Sequence, residues 1–265
     1  MLLQGRWQDS KLPVNQNKMN QQTKLKLNIA HLYPELLNIY GDMGNIYALK
    51  KRCEWRNIEI EIHNINTGSD INPELFDIYF IGGGQDKQQI DVAKEMQKQK
   101  ENLKQAAEDN AVMLAICGGY QLLGKYYLPH EGDKLDGIGI LNAYTIAGDK
   151  RFIGNVTVKS NFLSPETIVG FENHSGLTYL EEGTTPIGTV ITGNGNNGKD
   201  FTEGARYKNV FGTYLHGSLL PKNPQFTDYL ITLALNKKYN CEIELDKLDD
   251  TLENIAHKEA LTRKY

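Results

Sequence analysis

The chain has 265 residues, of which 40% are hydrophobic and 23% charged, ordinary usage for one or two globular domains with a sizeable core. Twenty-nine Lys+Arg against 33 Asp+Glu give a net charge of −4, which argues against a nucleic-acid partner held by broad phosphate neutralisation. The longest apolar run, Ala111–Cys117, is seven residues, against the roughly 20 that a membrane span requires.

The polar stretch 1–23 has no apolar core of a secretory signal and is expected to be a flexible N-terminal arm. From Lys24 to Ala30 the chain alternates and then turns apolar, which predicts a strand. Gly41 to Gly44 breaks it. Asn45 to Trp55 carries Ile46, Leu49 and Cys53 at helical spacing. Ile58–Ile65 and Asp77–Ile81 read as strands, the second ended by Gly82-Gly83-Gly84. Asp86–Asp109, polar and free of glycine, predicts a surface helix with an interruption. Ala111–Ile116 is continuously apolar, as expected of a strand buried on both faces, and Gly118–Lys125 follows at once as a helix. Strands alternating with helices predict an α/β fold with a mostly parallel central sheet flanked by helices. Ligands of such sheets sit at the carboxyl ends of the strands, here the loops 40–45, 82–85 and 117–119. The second half is β-rich, with candidate strands at 152–159, 166–171, 185–192 and 210–214. One domain over 24–240 is expected, followed by a helical tail, 241–265, whose Leu248, Leu252 and Ile255 share one face suited to docking on its own domain.

Three cysteines, Cys53, Cys117 and Cys241, make neither a CxxC pair nor a disulfide framework, and a reducing cytoplasm is the expected setting. Cys117 stands apart. It ends the apolar strand, and Gly118-Gly119 then opens a helix, the tight turn that presents a nucleophile at a helix N-terminus. Cys53 and Cys241 lack that context. Gly82-Gly83-Gly84 can offer backbone N–H groups to a developing oxyanion; no Gly-Lys-Ser/Thr follows, so it is not a Walker loop. His216, at the end of Val210-Phe-Gly-Thr-Tyr-Leu-His, is placed to act as a base toward a cysteine. His174, in a polar turn flanked by glycine, is a candidate substrate contact. His31, His63, His130 and His257 read as structural. Gly193–Gly198 fits G-x-G-x-x-G, but no helix opens at its last glycine, so it reads as a loop. No metal site is expected.

Cys117-Gly118-Gly119-Tyr120-Gln121 fits C-x-G-x-Q, and with the glycine strip upstream and His216 99 residues later the chain resembles the class I glutamine amidotransferases, a flavodoxin-like fold. Two positions depart from that pattern. Ala115 stands where many members have glycine, and His216-Gly217-Ser218 lacks the glutamate of His-x-Glu, as in the cobyric-acid-synthase-like (CobB/CobQ) branch. Within that branch, Tyr40-Gly-Asp-Met-Gly-Asn45, Ile116–Gly124, Gly170-Phe-Glu-Asn-His174, Gly193–Asn197 and Tyr214-Leu-His-Gly217 resemble the GatD family, glutaminase subunits of lipid II isoglutaminyl synthases.

The resemblance implies a cysteine–histidine glutaminase acting on L-glutamine, with Cys117 and His216 catalytic. Gly83, Gly84, Gly118 and Gln121 would form the oxyanion and substrate contacts, and Arg151 would hold the α-carboxylate bidentately. It implies a heterodimer with a MurT-like, Mur-ligase-family subunit that carries ATP and Mg, so no cofactor is expected in this chain. Lipid II would be reached through that partner, at the inner face of the membrane. A third group normally orients a catalytic histidine; Asp42 and Glu172 are the candidates within the chain, and an acidic residue of the partner is the other. A glutaminase serving another synthetase, a stand-alone cysteine hydrolase and a non-catalytic scaffold are the alternatives.

Overall fold

The computed structural model describes residues 24–39 and 41–263; the expected arm, 1–23, and Tyr40 lie outside the described residues. The first half alternates strands β1 (Lys26–Leu32), β2 (Glu59–Ile65), β3 (Ile78–Ile81) and β4 (Val112–Ile116) with helices α1 (Met43–Glu54), α2 (Asp86–Lys98), α3 (Lys100–Glu108) and α4 (Gly118–Leu123). Then come β5 (Tyr126–Leu128), β6 (Leu135–Asp136), β7 (Ala143–Ser160), β8 (Thr167–Leu180), β9 (Gly188–Thr192), β10 (Thr202–Glu203), β11 (Ala205–Tyr207) and β12 (Val210–Thr213). A 3-10 turn (Leu220–Lys222), α5 (Pro224–Tyr239) and α6 (Thr251–Thr262) close the chain.

The central sheet has the order β11-β12-β4-β3-β1-β2. Every pairing in it is parallel except β11 with β12, so the α/β reading with a mostly parallel sheet holds. The two central strands β3 and β4 are buried at every position, which is why they read as unbroken apolar runs. α1 buries Ile46, Leu49 and Cys53. The expected interruption of the long polar helix falls at Gln99, whose buried amide oxygen accepts the N–H of Ile71 (3.1 Å).

The β-rich half forms a second sheet, β10-β9-β7-β5-β6, with β8 also paired to β7. β7 and β8 are longer than the expected segments 152–159 and 166–171, because the ladder runs on past a register shift between Ala147 and Phe152. The two sheets meet just beyond the carboxyl end of β12. Phe171 of β8 and His216, just after β12, exchange backbone hydrogen bonds (3.3 and 2.8 Å), and the Asn223 side chain bonds both backbone groups of Val169.

The tail docks on its own domain, but not by the expected face. Arg52 of α1, 3% exposed, bonds Asp228 of α5 (2.6 and 2.7 Å) and Asp250 (2.5 Å), and Arg56 bonds Asp228 and the Asp246 carbonyl. Buried His257 bridges Thr167 (3.0 Å) and the Lys222 carbonyl (2.8 Å). Leu252 and Ile255, expected to pack inward, are 77% and 54% exposed. Polar anchors set the rotation of α6, and its apolar period is turned outward.

Candidate active site

Cys117 closes β4 and serves as the N-cap of α4 with φ 49° and ψ −106°, a conformation that residues with a β-carbon rarely adopt. Its N–H donates to the Thr213 carbonyl (2.8 Å), so the turn starts from the last rung of the β4–β12 ladder. The second of the glycines that follow, Gly119, is required by space. A β-carbon on Gly119 would lie 2.6 Å from the Ile81 side chain and 2.8 Å from the Gly82 carbonyl. The chain can turn this sharply only where that position is bare.

The glycine strip runs beside the cysteine. A β-carbon on Gly83 would stand 3.2 Å from His216 Cε1 and 3.4 Å from Cys117 Cβ, so Gly83 lies against both. Its N–H, however, donates to Asp42 Oδ2 (2.7 Å). That corrects the expected oxyanion role of Gly83, since the donor is already committed. The Gly84 nitrogen lies 3.3 Å from where a Gly118 β-carbon would be, and Gly84 lines the cleft with Cys117. Of the strip, it is the Gly84 backbone nitrogen that comes beside Gly118 and the cysteine turn.

His216 is buried at the junction of the sheets. Burial, with the nearby His174 and Arg151 adding to it, pushes its pKa down to about 3. The imidazole is neutral at neutral pH and has a lone pair for a proton. The two carboxylates of this chain named as possible orienters have other partners. Asp42 caps Gly83, and burial pushes its pKa up to about 7 against the Gly83 and Ile39 N–H groups. Glu172 accepts the Asn194 N–H (3.0 Å), the Asn194 side-chain amide (2.6 Å) and the Gly195 N–H (3.0 Å). The 193–198 loop, which fits a dinucleotide fingerprint, is thus a wrap around a buried carboxylate, and Glu172 is its anchor.

Arg151 sits at the register shift of β7, where a bulge re-aims a side chain, and its Nε donates to Asn173 Oδ1 (2.7 Å). His174 is buried, its Nδ1 bonds the Gly176 carbonyl (2.8 Å), and its ring stacks on Tyr214 with centroids 3.6 Å apart. Burial pushes its pKa down to about 4. Gln121 is fixed at both ends of its amide: Gln89 Nε2 donates to Gln121 Oε1 (2.7 Å), and Gln121 Nε2 donates to the Tyr214 hydroxyl (3.1 Å). The Tyr214 hydroxyl meets Thr178 Oγ1 (2.6 Å), which meets Thr145 Oγ1 (2.7 Å).

One cleft of about 300 Å³ opens beside the cysteine, and His216 lies behind its wall, against Gly83. Cys117, Gln121, Arg151 and His174 line the cleft, joined by Gln89 and Tyr127. Its volume is at the small end for ligand sites, of about 300–1,000 Å³, and suits an amino acid. A larger hollow, about 590 Å³, lies over Asp228 and the 245–251 segment, away from the cysteine and filled with ion-pair chemistry. Gln89 was invisible in sequence because a glutamine in a polar helix reads as solvated surface. Tyr214 lay in a noted motif, but nothing there assigned its hydroxyl. Cys53 is buried on α1 with its thiol pushed up to about 12, and buried His31 is pushed down to about 4 by desolvation; neither lines the cleft.

The comparisons agree with this geometry. The profile of the CobB/CobQ-like glutamine amidotransferase domain matches residues 28–224. The chain is 47% identical over 213 residues to the lipid II isoglutaminyl synthase (glutamine-hydrolyzing) subunit GatD of Staphylococcus aureus, covering 80% of this chain and 86% of that protein. It is 42% identical over 228 residues to the corresponding subunit of Streptococcus pneumoniae, covering 86% and 87%. A solved glutamine amidotransferase of Thermotoga maritima superposes with a TM-score of 0.52 at 14% identity, covering 89% and 92%, a likeness of fold. Sequence and fold together place the chain in the CobB/CobQ-like glutamine amidotransferase family.

Proposed function

We propose that the chain is the glutaminase subunit of a two-subunit lipid II isoglutaminyl synthase, releasing ammonia from L-glutamine for a MurT-like, ATP-dependent ligase. The observation that carries this reading is Cys117 on its strained turn, with His216 and the Gly84 and Gly118 N–H groups beside it over an amino-acid-sized cleft. Likeness to two GatD subunits over most of the chain supports the acceptor.

The mechanism follows from those positions. Arg151 binds the α-carboxylate of glutamine, and Gln121 and His174 line its path to the cysteine. Neutral His216 takes the Cys117 proton, and the thiolate attacks the side-chain amide carbon. The oxyanion falls to the Gly84 and Gly118 N–H groups. The imidazolium then gives its proton to the departing nitrogen, ammonia leaves, and a glutamyl thioester remains. Water, deprotonated by His216, hydrolyses the thioester to glutamate and returns the thiol. The partner subunit, carrying ATP and Mg, would use the ammonia to amidate the α-carboxyl of D-glutamate in the lipid II stem peptide. In this reading lipid II is met through the partner at the inner membrane face; among the described residues no helix is long and apolar enough to cross a membrane. The test is direct. A glutamine-mimicking chloroketone should label Cys117 and stop ammonia release, Cys117→Ala should be inactive, and pull-down of the chain should bring a Mur-ligase-like protein. Ammonia release by Cys117→Ala would refute the mechanism, and capture of a different synthetase would move the acceptor.

A further inference from the structure

Gly41-Asp42-Met43-Gly44-Asn45 is absorbed by no catalytic step, yet it touches both halves of the site. On one side Asp42, fully buried, accepts the Gly83 N–H at 2.7 Å, and a β-carbon on Gly82 would stand 2.9 Å from the same carboxylate oxygen. On the other side the Ser218 hydroxyl donates to the Gly41 carbonyl (2.5 Å), and the Leu220 N–H donates to Asn45 Oδ1 (2.9 Å). A β-carbon on Gly44 would lie 2.2 Å from Ser218 Oγ, so the segment presses on the turn after His216 with no space between. Gly83 in turn lies against both His216 and Cys117.

We infer that the 41–45 segment is a bracket that sets the oxyanion strip against the histidine turn, with Asp42 as its positioning residue. By accepting the Gly83 N–H, Asp42 fixes the Gly82–Gly83 peptide plane, one peptide unit before the one that carries the Gly84 N–H. With that plane held, only the Gly83 backbone dihedrals remain to place the Gly84 nitrogen beside Gly118 at the cleft. Asp42 works as a hydrogen-bond acceptor on backbone and not as the charge that orients His216. The inference rests on the glutaminase reading above and names a residue that the C-x-G-x-Q signature does not contain.

Substitution separates the two roles, because asparagine keeps an acceptor oxygen and removes the charge. The full chain is assayed for glutaminase turnover with its ligase-like partner present. Asp42→Ala should lower kcat about 10- to 100-fold, less than loss of an oxyanion donor outright, with KM for glutamine within about threefold. Asp42→Asn should stay within about threefold of wild type in both. Alkylation of Cys117 by iodoacetamide, which forms no oxyanion, should proceed at the wild-type rate in both variants. Equal, large losses in the two variants would return Asp42 to a charge-based role, and wild-type kcat in Asp42→Ala would remove it from the machinery; either overturns the inference. If Asp42→Ala does not fold, Asp42→Asn decides: a folded, inactive variant overturns it and an active one supports it. A wild-type chain that labels at Cys117 but releases no ammonia would instead bring down the functional reading itself.

Discussion

Cysteine 117 and arginine 151 show two kinds of residue-scale legibility. Cys117 could be read because its constraint is local. The apolar strand, the cysteine and two glycines are contiguous, burial explains the strand, and the tight approach to Ile81 and Gly82 explains Gly119. Arg151 could be read only by resemblance, because its place depends on a bulge in β7 and on Asn173 across the ladder. The same local view missed that the Gly83 N–H is already committed to Asp42, since no spacing rule links positions 42 and 83. Arg151 is exposed at the rim of the cleft, with its Nε on Asn173, so its loss should act on binding. Arg151→Ala should raise KM for glutamine about 10-fold or more with kcat within about threefold, as expected for a contact equal in ground and transition states. Steady-state glutaminase assays would check this, and unchanged KM would remove Arg151 from the substrate site.

At the scale of elements, α2 and α6 were each found and each misjudged. The tail helix exists, but Arg52, Arg56 and His257 decide how it sits, and its apolar residues face solvent. Apolar period reports which residues share a face; here buried ion pairs and hydrogen bonds decided which face is covered. α2 was taken for a surface helix, and one face of it is exposed. Yet Gln89 turns inward, 2% exposed, and donates to Gln121 Oε1 and, more weakly, to the Gly118 carbonyl (3.4 Å). It therefore links α2 to the helix that carries the nucleophile. Gln89→Leu would strand a buried acceptor on Gln121, a loss of about 1–3 kcal/mol. That should lower kcat/KM for glutamine about 10- to 100-fold, with Cys117 still open to iodoacetamide. Wild-type kinetics in a folded Gln89→Leu protein would show that Gln121 holds its orientation without α2.

Across the whole molecule, the parallel sheet was legible because its central strands are buried on both faces and carry that in composition. The second sheet was legible only as β-rich sequence, since the register shift between Ala147 and Phe152 hides how far β7 and β8 run and the junction is made by buried polar groups. Glu203 is the clearest of these. It is fully buried on β10, and its Oε1 accepts the Thr213 hydroxyl (2.6 Å) and the Tyr214 N–H (2.8 Å), fixing the strand end that leads to His216. Burial pushes its pKa up to about 7, with hydrogen bonds opposing and Glu172 adding. Between the ordinary value of 4.5 and about 7 the folded protein keeps a proton that the unfolded chain has released. Stability attributable to Glu203 is therefore full below pH 4.5 and is lost as pH rises through 7. His31, His174 and His216, buried and neutral with values of about 4, 4 and 3, act oppositely. Their contribution is full above pH 6.5 and is lost as pH falls toward those values. The wild-type profile blends both trends, so the test is a difference between proteins. Glu203→Gln keeps an acceptor oxygen for Thr213 and Tyr214 but cannot ionise. Its stability relative to wild type should rise between pH 4.5 and 7, by on the order of 1–3 kcal/mol, and level off above. Urea unfolding of both proteins at pH 5, 6, 7 and 8 would measure it. A constant difference across that range would mean that Glu203 titrates alike in the folded and unfolded chains, and that burial at the junction is not what sets its charge.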